Sequence, residues 1–177
     1  ENCEIGFEFS NESNLHKINK NLSPKNPNFR KITCKSFDSY FSDKKLPTFI
    51  KMDVEGAEVD ILFGMKNFLK TSKKCKILME LHPTLYNPIE YKKAFKLLFS
   101  NGFRLEKFVG SSRAHNHPLI KNKYTPSKIF KSGPFSRAII EDLTEYDFHT
   151  LNLNKQPFKS RYNLIFYLMH PKTILKP

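Results

Sequence analysis

Hydrophobic and polar positions recur along this chain in patterns that mark its elements. An alternating run at Ile5, Phe7 and Phe9 gives way to a polar segment, NKNLSPKNPNFRK, that predicts a loop. ITCKSFDSYF then predicts a strand turning into a short helix. From Pro47 the pattern sharpens. TFIKMDV is a short apolar run, read as a buried strand, and the helix expected after it places Ala57, Ile61, Met65 and Phe68 at i, i+4, i+8 and i+11. Asp60, Asn67 and Lys70 fall on the opposite side. KILMEL predicts a second buried strand. The next helix carries Tyr91, Ala94, Phe95 and Leu98 at i, i+3, i+4 and i+7 and stops at Asn101 and Gly102. FRLEKFV predicts a third strand.

Strand, helix, strand, helix, strand with short joints predicts an α/β fold whose parallel sheet has right-handed crossovers. After Gly110 the periodicity is lost. Residues 111–160 contain Pro118, Pro126, Pro134 and Pro157 and one short strand-like run, SRAII, so an irregular insertion is expected before the last strand, RYNLIFYLMH. The 177 residues suit one domain.

Composition narrows the function classes. No run of eighteen apolar residues and no charged-then-apolar leader is present, so a soluble, cytoplasmic protein without a membrane span is expected. Three cysteines, Cys3, Cys34 and Cys75, with no CxxC pair argue against a disulfide framework and a structural zinc site. The net charge of +13 invites a nucleic-acid reading, but 25 of the 30 basic residues are scattered lysines and only five are the arginines that read phosphates and bases bidentately. Scattered solvation is the better account.

Against that charge, FIKMDVEGAEVD places Asp53, Glu55 and Glu58 within six residues at the junction of a strand and a helix. Side chains alternate along a strand, so Lys51 and Asp53 share a face. Asp53 would stand at the carboxyl end of a parallel strand, the edge where open α/β sheets bind ligands. Two accounts compete. Acids in a first helical turn are favoured by the helix dipole, which suits Glu58, and Lys51 could simply neutralise Asp53. A lysine and an aspartate in a buried strand are costly unless used, which favours a functional site. His82, just past the second strand, has a side chain whose ordinary pKa lies near neutrality, although a ring packed before Pro83 is an equal alternative. His115 and His117, two apart with no carboxylate nearby, are expected to be surface residues, and no metal centre is expected.

FIKMDVEGAEVDILFGMKNFL, then KILMELHP, then LLFSNGFRLEKF, resembles the FkbM family of S-adenosylmethionine-dependent methyltransferases, whose members carry an I-K-x-D-x-E-G-x-E segment followed by L-x-E-x-H-P. ITCKSFDSYF resembles the same family's T-x-x-L-D-x-x-L element, with Phe37 where leucine is usual. The resemblance covers about residues 31–109. It implies a Rossmann-like class I methyltransferase sheet, with MDVEG ending the fourth strand and ILMEL forming the fifth, and methyl transfer from S-adenosylmethionine to a hydroxyl of a sugar or other small molecule. Asp53, Glu55 and His82 would be the catalytic residues. Lys51, Glu58, Lys121 and Lys123 would contact the acceptor, with residues 111–160 as a flap on its side. That stretch is acid-free between Glu106 and Glu141 while carrying Lys107, Arg113, Lys121, Lys123, Lys128, Lys131 and Arg137, which would steer an anionic sugar inward.

The glycine-rich turn and the acid for ribose hydroxyls that such a fold needs are not found; the six glycines are isolated. The sheet is therefore expected to be incomplete. With Glu1 in place of Met, a fragment of a longer enzyme, inactive alone, is expected, and no cofactor-binding residue can be named. The alternative is a non-catalytic basic module that holds an anionic partner.

Overall fold

A computed structural model describes residues 2–8, 17–19, 29–111, 118–151 and 162–168. Two sheets are present among them. In the first, β1 (Asn2–Glu8) pairs antiparallel with β2 (Lys17–Asn19) and with β3 (Phe29–Lys35), and Cys3 stands directly opposite Cys34 across the ladder. β3 is largely exposed, and none of the residues of β1 and β3 whose burial is described packs into the main core.

The second sheet holds β4 (Phe49–Met52), β5 (Lys76–Leu81), β6 (Phe103–Ser111), β7 (Lys128–Ser132), β8 (Phe135–Leu143) and β9 (Tyr162–Leu168) in the order β4-β5-β9-β6-β8-β7. β4 and β5 are parallel, as expected. Beyond that pair the expected parallel sheet is corrected to antiparallel pairing. β6 does not lie beside β5, because β9 hydrogen-bonds between them, antiparallel to both. β8 and β7 extend the sheet antiparallel as a hairpin. The domain is thus a mixed α/β fold with parallel and antiparallel pairing.

The core follows the burial parity of the strands. Ile77, Met79 and Leu81 of β5 are sealed, while Leu78 and Glu80 between them are only half-buried, so one face of the sheet carries the main packing. In β6 a bulge between Leu105 and Lys107 shifts the parity, which keeps Phe108 on the same buried side as Phe103 and Leu105. The long helix, α4 (Pro88–Ser100), begins at an Asn87 cap that accepts from the Ile89 and Glu90 amides and buries Tyr91, Ala94, Phe95 and Leu98, the stripe its sequence period marks.

The single helix expected after β4 is two. α2 (Glu58–Phe63) ends at Gly64, and α3 (Lys66–Thr71) starts again after Met65. The cause lies upstream, in α1 (Phe37–Tyr40). Asp38 accepts from the Asn67 amide at 2.8 Å and the Phe68 amide at 2.9 Å, satisfying the orphan donors of a new helix start, while its own amide donates to the Gly64 carbonyl.

The irregular insertion expected before the last strand is corrected over residues 118–151, which form α5 (Pro118–Lys123), the β7–β8 hairpin and α6 (Glu145–Leu151). Asp147 ties these together. Its buried carboxylate accepts from Lys123 Nζ at 2.6 Å, from Thr144 Oγ1 at 2.7 Å and from the Tyr124 hydroxyl. Burial alone would raise its pKa, but the Lys123, Tyr124 and Thr144 donors outweigh it and hold it at about 2. The folded value lies below the unfolded one, near 4. The network therefore stabilises above pH ~4 and loses that contribution as pH falls towards about 2, a loss of up to about 2 kcal/mol. Urea melts at pH 6 and pH 2.5 should show this acid-sensitive component in the wild type and not in Asp147→Asn.

Candidate functional site

Parallel pairing of β4 with β5, with Met52 opposite Met79, brings both carboxyl ends out at one edge of the sheet. Asp53 follows β4 directly and His82 follows β5. β4 is not the doubly buried strand its apolar run suggests. It is the terminal strand of the sheet order, with Phe49 and Lys51 exposed and Met52 turned inward. Lys51 Nζ lies 3.3 Å from Asp53 Oδ2, so the lysine that looked costly in a buried strand stands in solvent and pairs along its own face.

Residues 54–57 then form a tight turn in which the Ala57 amide donates to the Val54 carbonyl. Both central residues are left-handed, Glu55 at φ 48° and Gly56 at φ 103°. Gly56 meets that requirement without strain and lets Leu85 approach to 3.0 Å from where a Cβ would stand. Glu55 has no such freedom, and its conformation costs about 1–2 kcal/mol. The turn directs two amides at one carboxylate.

That carboxylate belongs to Glu58, the first residue of α2, whose solvent exposure is 0%. Oε1 accepts from His82 Nδ1 at 3.1 Å and from the Val54 amide at 3.4 Å; Oε2 accepts from the Tyr86 hydroxyl at 2.6 Å and the Gly56 amide at 3.0 Å. Burial works to raise the Glu58 pKa, but the hydrogen bonds from His82 and Tyr86 prevail and hold it below the usual carboxylate range. Burial and the adjacent Glu58 charge push the Tyr86 phenol up, so it stays a donor to Glu58 while accepting the His82 amide at 2.9 Å.

His82 is thereby fixed in position. With Nδ1 donating to Glu58, the other ring nitrogen, Nε2, faces Glu55 Oε2 at 3.5 Å. Asp53, Glu55 and His82 each place one ligand-type atom within 4.8 Å of the others. No metal centre is expected from the sequence, yet these three have the donor types that could hold one. The group grades from exposed Asp53 through half-buried Glu55 to buried His82, so it opens to solvent on the Asp53 side.

Of the residues marked in the sequence, Lys51, Asp53, Glu55, Glu58 and His82 are brought together. Lys123 is engaged by Asp147, and Lys121 is exposed on α5. His115 and His117 lie outside the described residues. Tyr86 was missed; its only signal is a tyrosine four positions after His82, in HPTLY.

A protein-family model described as Methyltransferase FkbM domain matches residues 4–105, reaching further toward the start of the chain than the motifs at 31–109. No curated protein and no solved structure matches the chain. Among the described residues no helix is long and apolar enough to cross a membrane. The match spans more than half of the 177 residues and includes the whole acidic turn and His82, and the chain belongs to the FkbM family of S-adenosylmethionine-dependent methyltransferases.

Proposed function

We propose that the acceptor is a hydroxyl of a sugar or other small molecule, methylated at the carboxyl edge of β4 and β5. The observation that carries this reading is the convergence of Asp53, Glu55 and His82 beside the exposed end of that edge. S-adenosylmethionine supplies a methyl group on a sulfonium whose leaving group is a neutral thioether and needs no proton. The donor set fits such a reagent. The only chemical demand left to the protein is a base for the acceptor O–H and a fixed approach, and the group offers carboxylates and an imidazole. Asp53, the most exposed of the three, takes the proton; Glu55 and His82 sit behind it, with His82 held by Glu58 through its ring and by Tyr86 through its backbone amide.

An anionic acceptor sugar is part of the same proposal. Lys121, Lys128 and Lys131 are exposed on the acid-free stretch, whereas Lys123 is spent on Asp147. The rival reading, a module that merely holds an anion, gains nothing from the paired carboxylates of Asp53 and Glu55.

Methyl transfer from labelled S-adenosylmethionine to a panel of neutral and phosphorylated sugars tests the reading in the intact protein. Asp53→Asn should keep the fold and lower turnover by about a hundredfold. Wild-type turnover in that variant would return the acidic turn to helix-dipole stabilisation.

A further inference from the structure

Asp53, Glu55 and His82 also carry a second inference: we infer that they form a binding site for one divalent cation of the kind that takes mixed oxygen and imidazole ligands, such as Mn²⁺. Two carboxylates and an imidazole match the preferences of these ions better than those of a soft or a purely oxygen-seeking metal. The spacing fits as well. Neighbouring ligands on an ion about 2.1 Å away stand roughly 3 Å apart, close to the 3.5 Å between His82 Nε2 and Glu55 Oε2.

A separate observation comes from outside the trio. The His82 side chain is only 5% exposed, and its far nitrogen is held by the carboxylate of Glu58, which is not exposed at all. A carboxylate on the distal ring nitrogen is the arrangement that fixes a metal-ligating histidine in the right tautomer and strengthens it as a donor. Burying a carboxylate costs several kcal/mol, and this fold does so with the imidazole as one of its partners. The Tyr86 hydroxyl accepts from the His82 backbone amide and so holds the main chain from which the ring projects. Three protein ligands at a rim open through Asp53 leave coordination positions for water and an acceptor oxygen.

The site stands on this geometry. Its use rests on the methyl-transfer reading: a bound cation would hold the acceptor hydroxyl and ease loss of its proton, which passes to a carboxylate oxygen not bound to the ion.

The test is Mn²⁺ titration of the 177-residue chain followed by electron paramagnetic resonance, which needs neither donor nor acceptor. One Mn²⁺ per chain should bind, and Asp53→Asn and Glu55→Gln, with folding checked by circular dichroism, should each weaken binding by about tenfold or more. Free Mn²⁺ at millimolar protein, or binding unchanged in both variants, overturns the site. Binding lost in the variants supports it even if no methyl is transferred, an outcome that would count against the methyl-transfer reading alone.

Discussion

Glu58→Gln is expected to cost about 3–5 kcal/mol of folding stability, a large share of what a domain of this size possesses. The substitution preserves shape almost completely, so the loss comes from chemistry. Glu58 receives two backbone amides, the His82 ring and the Tyr86 hydroxyl, all as donors, in a place with no solvent exposure. Glutamine keeps one acceptor oxygen and turns the other into an NH₂, which then confronts either Tyr86 and Gly56 or His82 and Val54. Donors left facing donors in a buried site cost far more than a lost surface bond. Asp60→Asn in the same helical turn is the control. Asp60 is exposed at the start of the helix, where an acid contributes about 0.3–1 kcal/mol through the helix dipole, so a small loss is expected. Urea denaturation of both variants separates the accounts; equal, small losses would make Glu58 one more first-turn acid.

Glu58 also shows where sequence reasoning reaches its limit. Its position in a first turn was legible, and so was the placement of Asp53 and His82 just past the ends of two parallel strands. Its burial was not legible, because the partners that make burial tolerable come from β5 and from the turn after it. Tyr86 looks like any packing aromatic until its hydroxyl is placed. The same holds for the fold. The helix stripes of Tyr91, Ala94, Phe95 and Leu98 and the β4–β5 pair are local patterns and were read correctly. The break between α2 and α3 depends on Asp38, which caps α3 from another helix. The insertion of β9 beside β5 joins residues 162–168 to residues 76–81, and no periodicity records a pairing between such distant segments. The exposure of Lys51 was not legible, because an edge strand and a buried one can share the same short apolar run.

The largest departure from the sequence reading lies in residues 118–151, and Phe148→Ala measures its weight. Phe148 has no exposed surface. From α6 its ring packs against α4, with centroids 5.0 Å from Phe95, 5.8 Å from Phe99 and 6.2 Å from Tyr91. Around it, Leu151 of the same helix and Leu143 of β8 complete a sealed contact with the central helix. Truncation to alanine removes the ring and leaves a cavity that α6 cannot close, since its start is tied by Thr144, Tyr124 and Lys123 through Asp147. A loss of about 3–5 kcal/mol follows. For a chain of this length that corresponds to a fall of about 10 °C in Tm, in one cooperative transition. A segment that merely lay over an acceptor would behave differently. Its aromatic could be removed with the main transition unmoved and only local protection from hydrogen exchange reduced, because loosely attached elements open at low free energy without unfolding the rest. The burial of Phe148 against α4 argues that α6 is built into the core, while the β7–β8 hairpin tip at Gly133 stays exposed.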